Sequence, residues 1–153
     1  MPVVEQLHPS AEPEPHAEPR ETLVADIMSR RIVAIRSDAD LSVALDAFLR
    51  TALRHLLVVD PDRSCRGLLS AEHVLAALGT TGSRHHRVAD HVAHGQPRVH
   101  HAAPVREAAA LMVCELVDAL PVVDDDGRVI GVVTWSDIVA MVAGQHLRGG
   151  GRP

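Results

Sequence analysis

Thr134 and Asp137 stand three residues apart, where the apolar run "VIGVV" gives way to "WSDIVAM". A hydroxyl and a carboxylate at that spacing across a helix start can do two kinds of chemistry. As a capping box, Thr134 accepts the backbone N–H three residues on, and an acid in the first turn complements the helix dipole. As a binding site, the Asp137 carboxylate can accept hydrogen bonds from both hydroxyls of a ribose. The free N–H groups of that turn, with the hydroxyls of Thr134 and Ser136, favour a phosphate nearby. The two uses are compatible, since Thr134 can cap while Asp137 binds.

Little else in the chain suggests chemistry. There is no nucleophile–base pair, glycine-rich phosphate loop or catalytic metal motif, so the expectation is a protein that is not an enzyme and carries no cofactor. Eleven histidines are many for 153 residues, and six of them (His85, His86, His91, His94, His100, His101) crowd one stretch. His91 and His94, at i and i+3, could share a helix face and ligate Zn²⁺ or Ni²⁺. No cysteine or well-placed carboxylate completes a four-ligand set, so surface histidines and no metal are expected. A cluster titrating near neutrality could instead make the protein pH-responsive. Cys65 and Cys114 have no metal-type spacing and read as idle thiols.

The elements that must position Thr134 and Asp137 come in duplicate. Shifted by 64, "VADIM" (24–28) falls on "VADHV", "LLVVDPD" (56–62) on "LPVVDDD", and "GLLSAEH" (67–73) on "GVVTWSD". Residues 24–78 and 88–142 share 12 of 55 positions without a gap. Each copy predicts a short helical turn, a short strand (33–35, 98–100), an amphipathic helix, a strand hairpin and a closing helix (71–78, 135–146). The amphipathic helices carry Leu41, Ala44, Leu45, Phe48, Leu49 and Ala52, and Val105, Ala108, Ala109, Met112, Val113 and Leu116, at one-face spacing. The hairpin strands are continuous apolar runs, which indicates burial on both faces.

The expected organisation is a Pro/Glu-rich disordered tail (1–21), repeat 1 (22–78), a linker (79–87), repeat 2 (88–146) and a flexible tail (147–153). A unit of about 55 residues with three short strands is marginal alone. The two should therefore form one α+β fold of β-α-β-β-α repeats packed sheet to sheet about a pseudo-twofold axis. A net charge of −5 argues against nucleic acid as a partner. No apolar run reaches the ~20 residues needed to span a bilayer, and the N-terminus lacks a secretory pattern, so a cytoplasmic location is expected. Phe48 and Trp135 are the only aromatic residues apart from histidine. A bound base is therefore expected between aliphatic side chains and backbone rather than on an aromatic platform.

"LPVVDDDGRVIGVVTWSD", with "VADIM" before it, resembles the signature of a CBS (cystathionine-β-synthase-type) domain, and two in tandem resemble a Bateman module. The resemblance covers roughly residues 22–146 and is to the small stand-alone CBS-pair proteins. It implies a regulatory module that binds AMP, ADP, ATP or S-adenosylmethionine between its halves, dimerises, and signals to an unidentified protein partner. A ligand-free interaction module is the alternative. In the family, residues matching Thr134 and Asp137 contact ribose and phosphate.

The resemblance also ranks the two halves. Repeat 1 keeps Ser70 at the place of Thr134, but His73 replaces Asp137, and an imidazole cannot accept two hydroxyl donors. Its site is expected to be empty or weak, with Glu72 a partial substitute. Arg54 and His55 precede the "LLVV" strand where basic residues of some CBS proteins reach phosphate, and Arg suits phosphate through its donor fork. Arg98 is a weaker candidate. The adenine is expected at the backbone of Val99 and His100, between aliphatic walls that include Val133 and Pro121.

Overall fold

The computed structural model describes residues 20–80 and 86–145; the two tails and the middle of the linker lie outside the described residues. Repeat 1 contains α1 (Val24–Ile27), β1 (Ala34–Arg36), α2 (Leu41–Thr51), β2 (His55–Val59), β3 (Cys65–Ser70) and α3 (Ala71–Thr80). Repeat 2 opens with a 3-10 turn (Val88–His91), followed by β4 (Val99–His100), α4 (Val105–Glu115), β5 (Ala119–Val123), β6 (Val129–Thr134) and α5 (Trp135–Val142). Each repeat builds one three-stranded sheet, β1-β2-β3 and β4-β5-β6, with its first pair parallel and its second antiparallel.

The duplication is reproduced in the register. Val58 pairs with Gly67 and Val122 with Gly131, and both ladders slip at the next residue. α2 and α4 close on left-handed residues, Ala52 (φ 54°) and Leu116 (φ 55°), 64 apart. The buried helix stripe is narrower than the periodicity predicts. Leu41, Ala44 and Phe48, and Val105, Ala108 and Met112, are buried, whereas Leu49, Val113 and Leu116 are 77%, 65% and 91% exposed. Each helix covers one sheet with one stripe and leaves its flank open to solvent. Leu57, Leu68, Ala119 and Val132 form a third apolar cluster joining the two sheets, as the sheet-to-sheet packing requires.

The lead-in turns do not stay with their own repeats. Val24 and Met28 belong to the core of repeat 2, with Val99, Val105, Leu120 and Val133. Val88 and Val92 belong to the core of repeat 1, with Ile35, Leu41, Leu56 and Leu69. Backbone bonds fix the exchange, from Val24 N–H to Ala103 O (2.8 Å) and from Val88 N–H to Ala39 O (2.8 Å). The repeats of the sequence are thus not the packed units, and each core takes two buried residues from the other half.

A polar node anchors the second exchanged turn. Ser37, buried, donates to Asp60 (2.5 Å), and Arg66 bonds Asp60 (3.2 Å), Val92 O (2.9 Å) and Ala89 O (3.3 Å). The Ser37 hydroxyl, with Arg66 beside it, holds the Asp60 carboxyl below its ordinary range. That contribution to stability is present above the ordinary carboxylate pKa and is lost as pH falls through the lowered value.

The first exchanged turn crosses β6 at Gly131. Ser29 and Val132 exchange both backbone bonds at 2.9 Å, and a Cβ on Gly131 would stand 2.7 Å from Met28 Sδ and 2.9 Å from Ser29 O. The equivalent crossing at Gly67 is made by a side chain. Gln96 Oε1 accepts from Leu68 N–H (2.9 Å) and its amide donates to Leu68 O (3.4 Å). Because backbone cannot yield as a side chain does, Gly131→Ala is expected to destabilise the fold by about 1–3 kcal/mol, measured by urea denaturation. An unchanged midpoint and slope would contradict the close crossing.

Candidate functional site

The exchanged turns build two clefts related by the internal repeat. The first, about 510 Å³, carries Thr134, Ser136 and Asp137 from the β6–α5 junction. Its opposite wall comes from repeat 1: Ser29, Arg31, Ile32 and Val33 ahead of β1, then Leu53, Arg54, His55 and Leu57. The second, about 840 Å³, carries Ser70, Glu72 and His73 at the β3–α3 junction, with Ala93, Gln96, Val117 and Asp118 opposite.

Thr134 and Asp137 form the capping box. Asp137 N–H donates to Thr134 Oγ1 (3.3 Å), while Asp137 Oδ2 accepts from Thr134 N–H (2.7 Å) and from Thr134 Oγ1 (2.9 Å). A cap of this kind stabilises by about 1 kcal/mol. Only Oδ2 is used in it, so Oδ1 is available to accept from a ligand hydroxyl at the cleft. Trp135 N–H is tied to Asp118 O (2.8 Å), as Ala71 N–H is to Arg54 O (2.9 Å), which fixes each helix start against the strand beside it.

Arg54 and His55 lie in the Asp137 cleft, on the side the sequence placed them. His55, which lines both clefts, is bonded through Nε2 to Asp118 (3.2 Å) from the other repeat. Its side chain is 12% exposed, so it is a cross-repeat tie more than an open cation, and Arg54 is left as the better phosphate donor. Ser70 lies in the second cleft, where its hydroxyl accepts from His73 N–H (3.1 Å).

Four expected adenine contacts are not brought to Asp137. Val99 and Val133 are in the core of repeat 2, and Pro121 is fully buried. His100 pairs with Asp125 (2.8 Å) beyond the end of β4. Arg98 donates to Cys65 O (2.6 Å) and lines neither cleft. The cause is the exchange of lead-in turns: the wall facing Asp137 belongs to the other repeat, so Leu57 stands where its counterpart Pro121 was expected. Strand alternation adds a one-residue error, since Val132 turns to the cleft and Val133 away from it. Trp135, 47% exposed, lines both clefts, so an aromatic face is present after all.

His91 and His94 share no helix face, because the 3-10 turn ends at His91 and His94 is an exposed residue beyond it. His91 instead packs in the second cleft against His73 and His86. Burial, then the two neighbouring imidazoles, push its pKa below the usual histidine range against the opposing pull of Asp90.

The model of the CBS domain family matches residues 24–80 and 90–144. This chain therefore belongs to the CBS domain family and carries two such domains in tandem. It is 30% identical over 131 residues to a CBS domain-containing protein of Dictyostelium discoideum, covering 78% of this chain and 90% of that one. Several longer relatives are spanned over only 24% of their length. Among solved structures it is similar to the CBS domain pair of protein MJ0100 in complex with 5′-methylthioadenosine and S-adenosyl-L-methionine. That match has a TM-score of 0.72 and 27% identity, covering 81% of this chain and 98% of that one. The cytosolic domain of the Mg²⁺ channel MgtE in complex with ATP matches with a TM-score of 0.62 and 27% identity, covering 75% and 46%. No helix among the described residues is long and apolar enough to cross a membrane.

Proposed function

We propose that this chain is a regulatory module, not a catalyst, which binds an adenosine-containing ligand in the Asp137 cleft and signals its occupancy to a protein partner. The observation that carries this reading is the Asp137 carboxylate. It is held by its own cap at the first turn of α5, with one oxygen spare, across a cleft from aliphatic Ile32 and Val33 and beside Arg54. The ribose hydroxyls donate to Asp137, and the base lies between the residues preceding β1 and the aliphatic wall of β2. A 5′-phosphate meets Arg54 and the hydroxyl and N–H of Ser136, since the Trp135 and Asp137 N–H groups are already bonded. The ligands of the MJ0100 domain pair and the MgtE domain support adenosine as the common part.

A ligand present at 100 times its dissociation constant adds ~2.7 kcal/mol of apparent stability, or roughly 5–10 °C in melting temperature for a chain of this size. Thermal melts with AMP, ADP, ATP, S-adenosylmethionine and 5′-methylthioadenosine are expected to show such a rise for at least one. The rise should be lost in Asp137→Asn, which keeps an acceptor for the Thr134 cap but cannot serve two ribose hydroxyls. No rise with any of the five would leave the chain as a ligand-free interaction module.

We further propose a homodimer. Val113 on α4 and Leu116 at its C-cap, with Val139 and Val142 on α5, are exposed at 65%, 91%, 50% and 77% on two helices that pack together. Light scattering should give twice the chain mass for the wild type and the monomer mass for Leu116→Glu combined with Val142→Glu. A monomeric wild type would contradict this arrangement.

A further inference from the structure

The end of β4 gathers three side chains of metal-ligating type, away from both clefts. His100 Nε2 and His101 Nε2 stand 2.8 and 3.7 Å from Asp125 Oδ1, and one ligand atom from each residue lies within 4.8 Å of the other two. Around a tetrahedral ion with bonds of about 2.0–2.1 Å, ligand atoms are about 3.3 Å apart. The two distances to Asp125 fall on either side of that value. Neighbouring residues of a strand point to opposite faces. Here β4 ends at His100 and His101 opens a turn, which brings both rings to one side with their centres 4.5 Å apart.

The backbone beneath these side chains is fixed. His100 pairs with Val123 in the sheet, His101 N–H donates to Val123 O (2.9 Å), and His101 O accepts from Ala25 N–H (2.9 Å). Asp125 sits in the β5–β6 turn, which Asp124 Oδ1 braces by accepting from Asp126 N–H (3.0 Å) and Arg128 N–H (2.9 Å). The other half shows how the same turn is neutralised elsewhere. At the offset of 64, Asp60 corresponds to Asp124 and Arg66 to Ile130. Repeat 1 therefore meets its turn carboxylate with a built-in guanidinium, Arg66 to Asp60 at 3.2 Å. Repeat 2 has three consecutive aspartates (124–126) and an aliphatic residue in place of that arginine. Among the described residues, the ion-pair partners of Asp125 are the two imidazoles.

We propose that His100, His101 and Asp125 bind a divalent transition-metal ion of the Zn²⁺ class, with water completing its coordination. Two imidazoles and a carboxylate suit Zn²⁺ and related ions such as Co²⁺. In the ion-free protein Ala102 N–H donates to His100 Nδ1 (3.1 Å), so the neutral ring carries its proton on Nε2, facing Asp125. Ligation through Nε2 moves that proton to Nδ1 and leaves the N–H of Ala102, an exposed residue, to water. One bond to an exposed group is thus exchanged for a metal–nitrogen bond. Because Ala25 N–H is bonded to His101 O, the ion also fastens the first exchanged turn to the end of β4.

None of the three residues lines either cleft, so the site is tested without nucleotide. The full chain, stripped with a chelator, is titrated with Zn²⁺ by calorimetry and with Co²⁺ by visible absorption. Wild type should saturate at one equivalent with either ion, and Zn²⁺ should raise its melting temperature. Asp125→Ala, at an exposed turn position, and His101→Ala should each weaken binding by more than about tenfold and lose the melting rise. His94→Ala should change neither, which separates this site from the other histidines. Melting of the metal-free variants separates lost binding from lost folding, and Asp125→Ala decides if His101→Ala does not fold. No saturable equivalent in wild type, one that survives in folded Asp125→Ala, or one lost in His94→Ala would overturn the proposal.

Discussion

Everything in this molecule depends on the reciprocal exchange of its two lead-in turns. Each turn inserts two apolar side chains, Val24 and Met28 or Val88 and Val92, into the core of the other half. Neither sheet has enough partners of its own, so burial of these residues couples the two halves into one cooperative unit. The same exchange positions the site. It carries residues 29–33 past β6, where Gly131 leaves room for backbone against backbone, and sets them opposite Thr134 and Asp137. The cleft is therefore a consequence of how the core closes, and a change that loosens the crossing loosens the site.

Internal symmetry makes the differences between the clefts meaningful. Strand register, ladder slip and left-handed helix ends recur 64 residues apart. On that common frame, one cleft carries a carboxylate beside aliphatic walls and an arginine, the other a group of imidazoles beside a glutamate. A carboxylate selects hydroxyl donors, which an imidazole cannot serve in pairs. His55 and Asp118 join the halves and line both clefts.

Much of this was legible in the sequence, because the signals were local. The 64-residue shift, the hairpin strands, the helix starts and the capping box all follow from spacing within one repeat, and the structure reproduces them. Arg54 and His55 do line the Asp137 cleft, and their place before a strand is a local feature. What spacing could not reveal was which half faces which. Val99, His100, Pro121 and Val133 were expected at the adenine, but the wall facing Asp137 comes from residues 29–33 and β2 of the other repeat. A clue existed: Met28 and Val92 are apolar residues at the ends of turns too short to bury them within their own repeat. The gathering of His73, His86 and His91 had no such clue, because they lie 13 and 5 residues apart on three separately anchored segments.

The most direct measurement is a crystal structure of the full chain grown with a saturating adenosine ligand. The exchanged-turn arrangement predicts the ribose on Asp137 Oδ1 and the base against Ile32 and Val33, with repeat 1 supplying the wall. A ligand held instead by Val99, His100 and Pro121, or one bound without contact to Asp137, would contradict it.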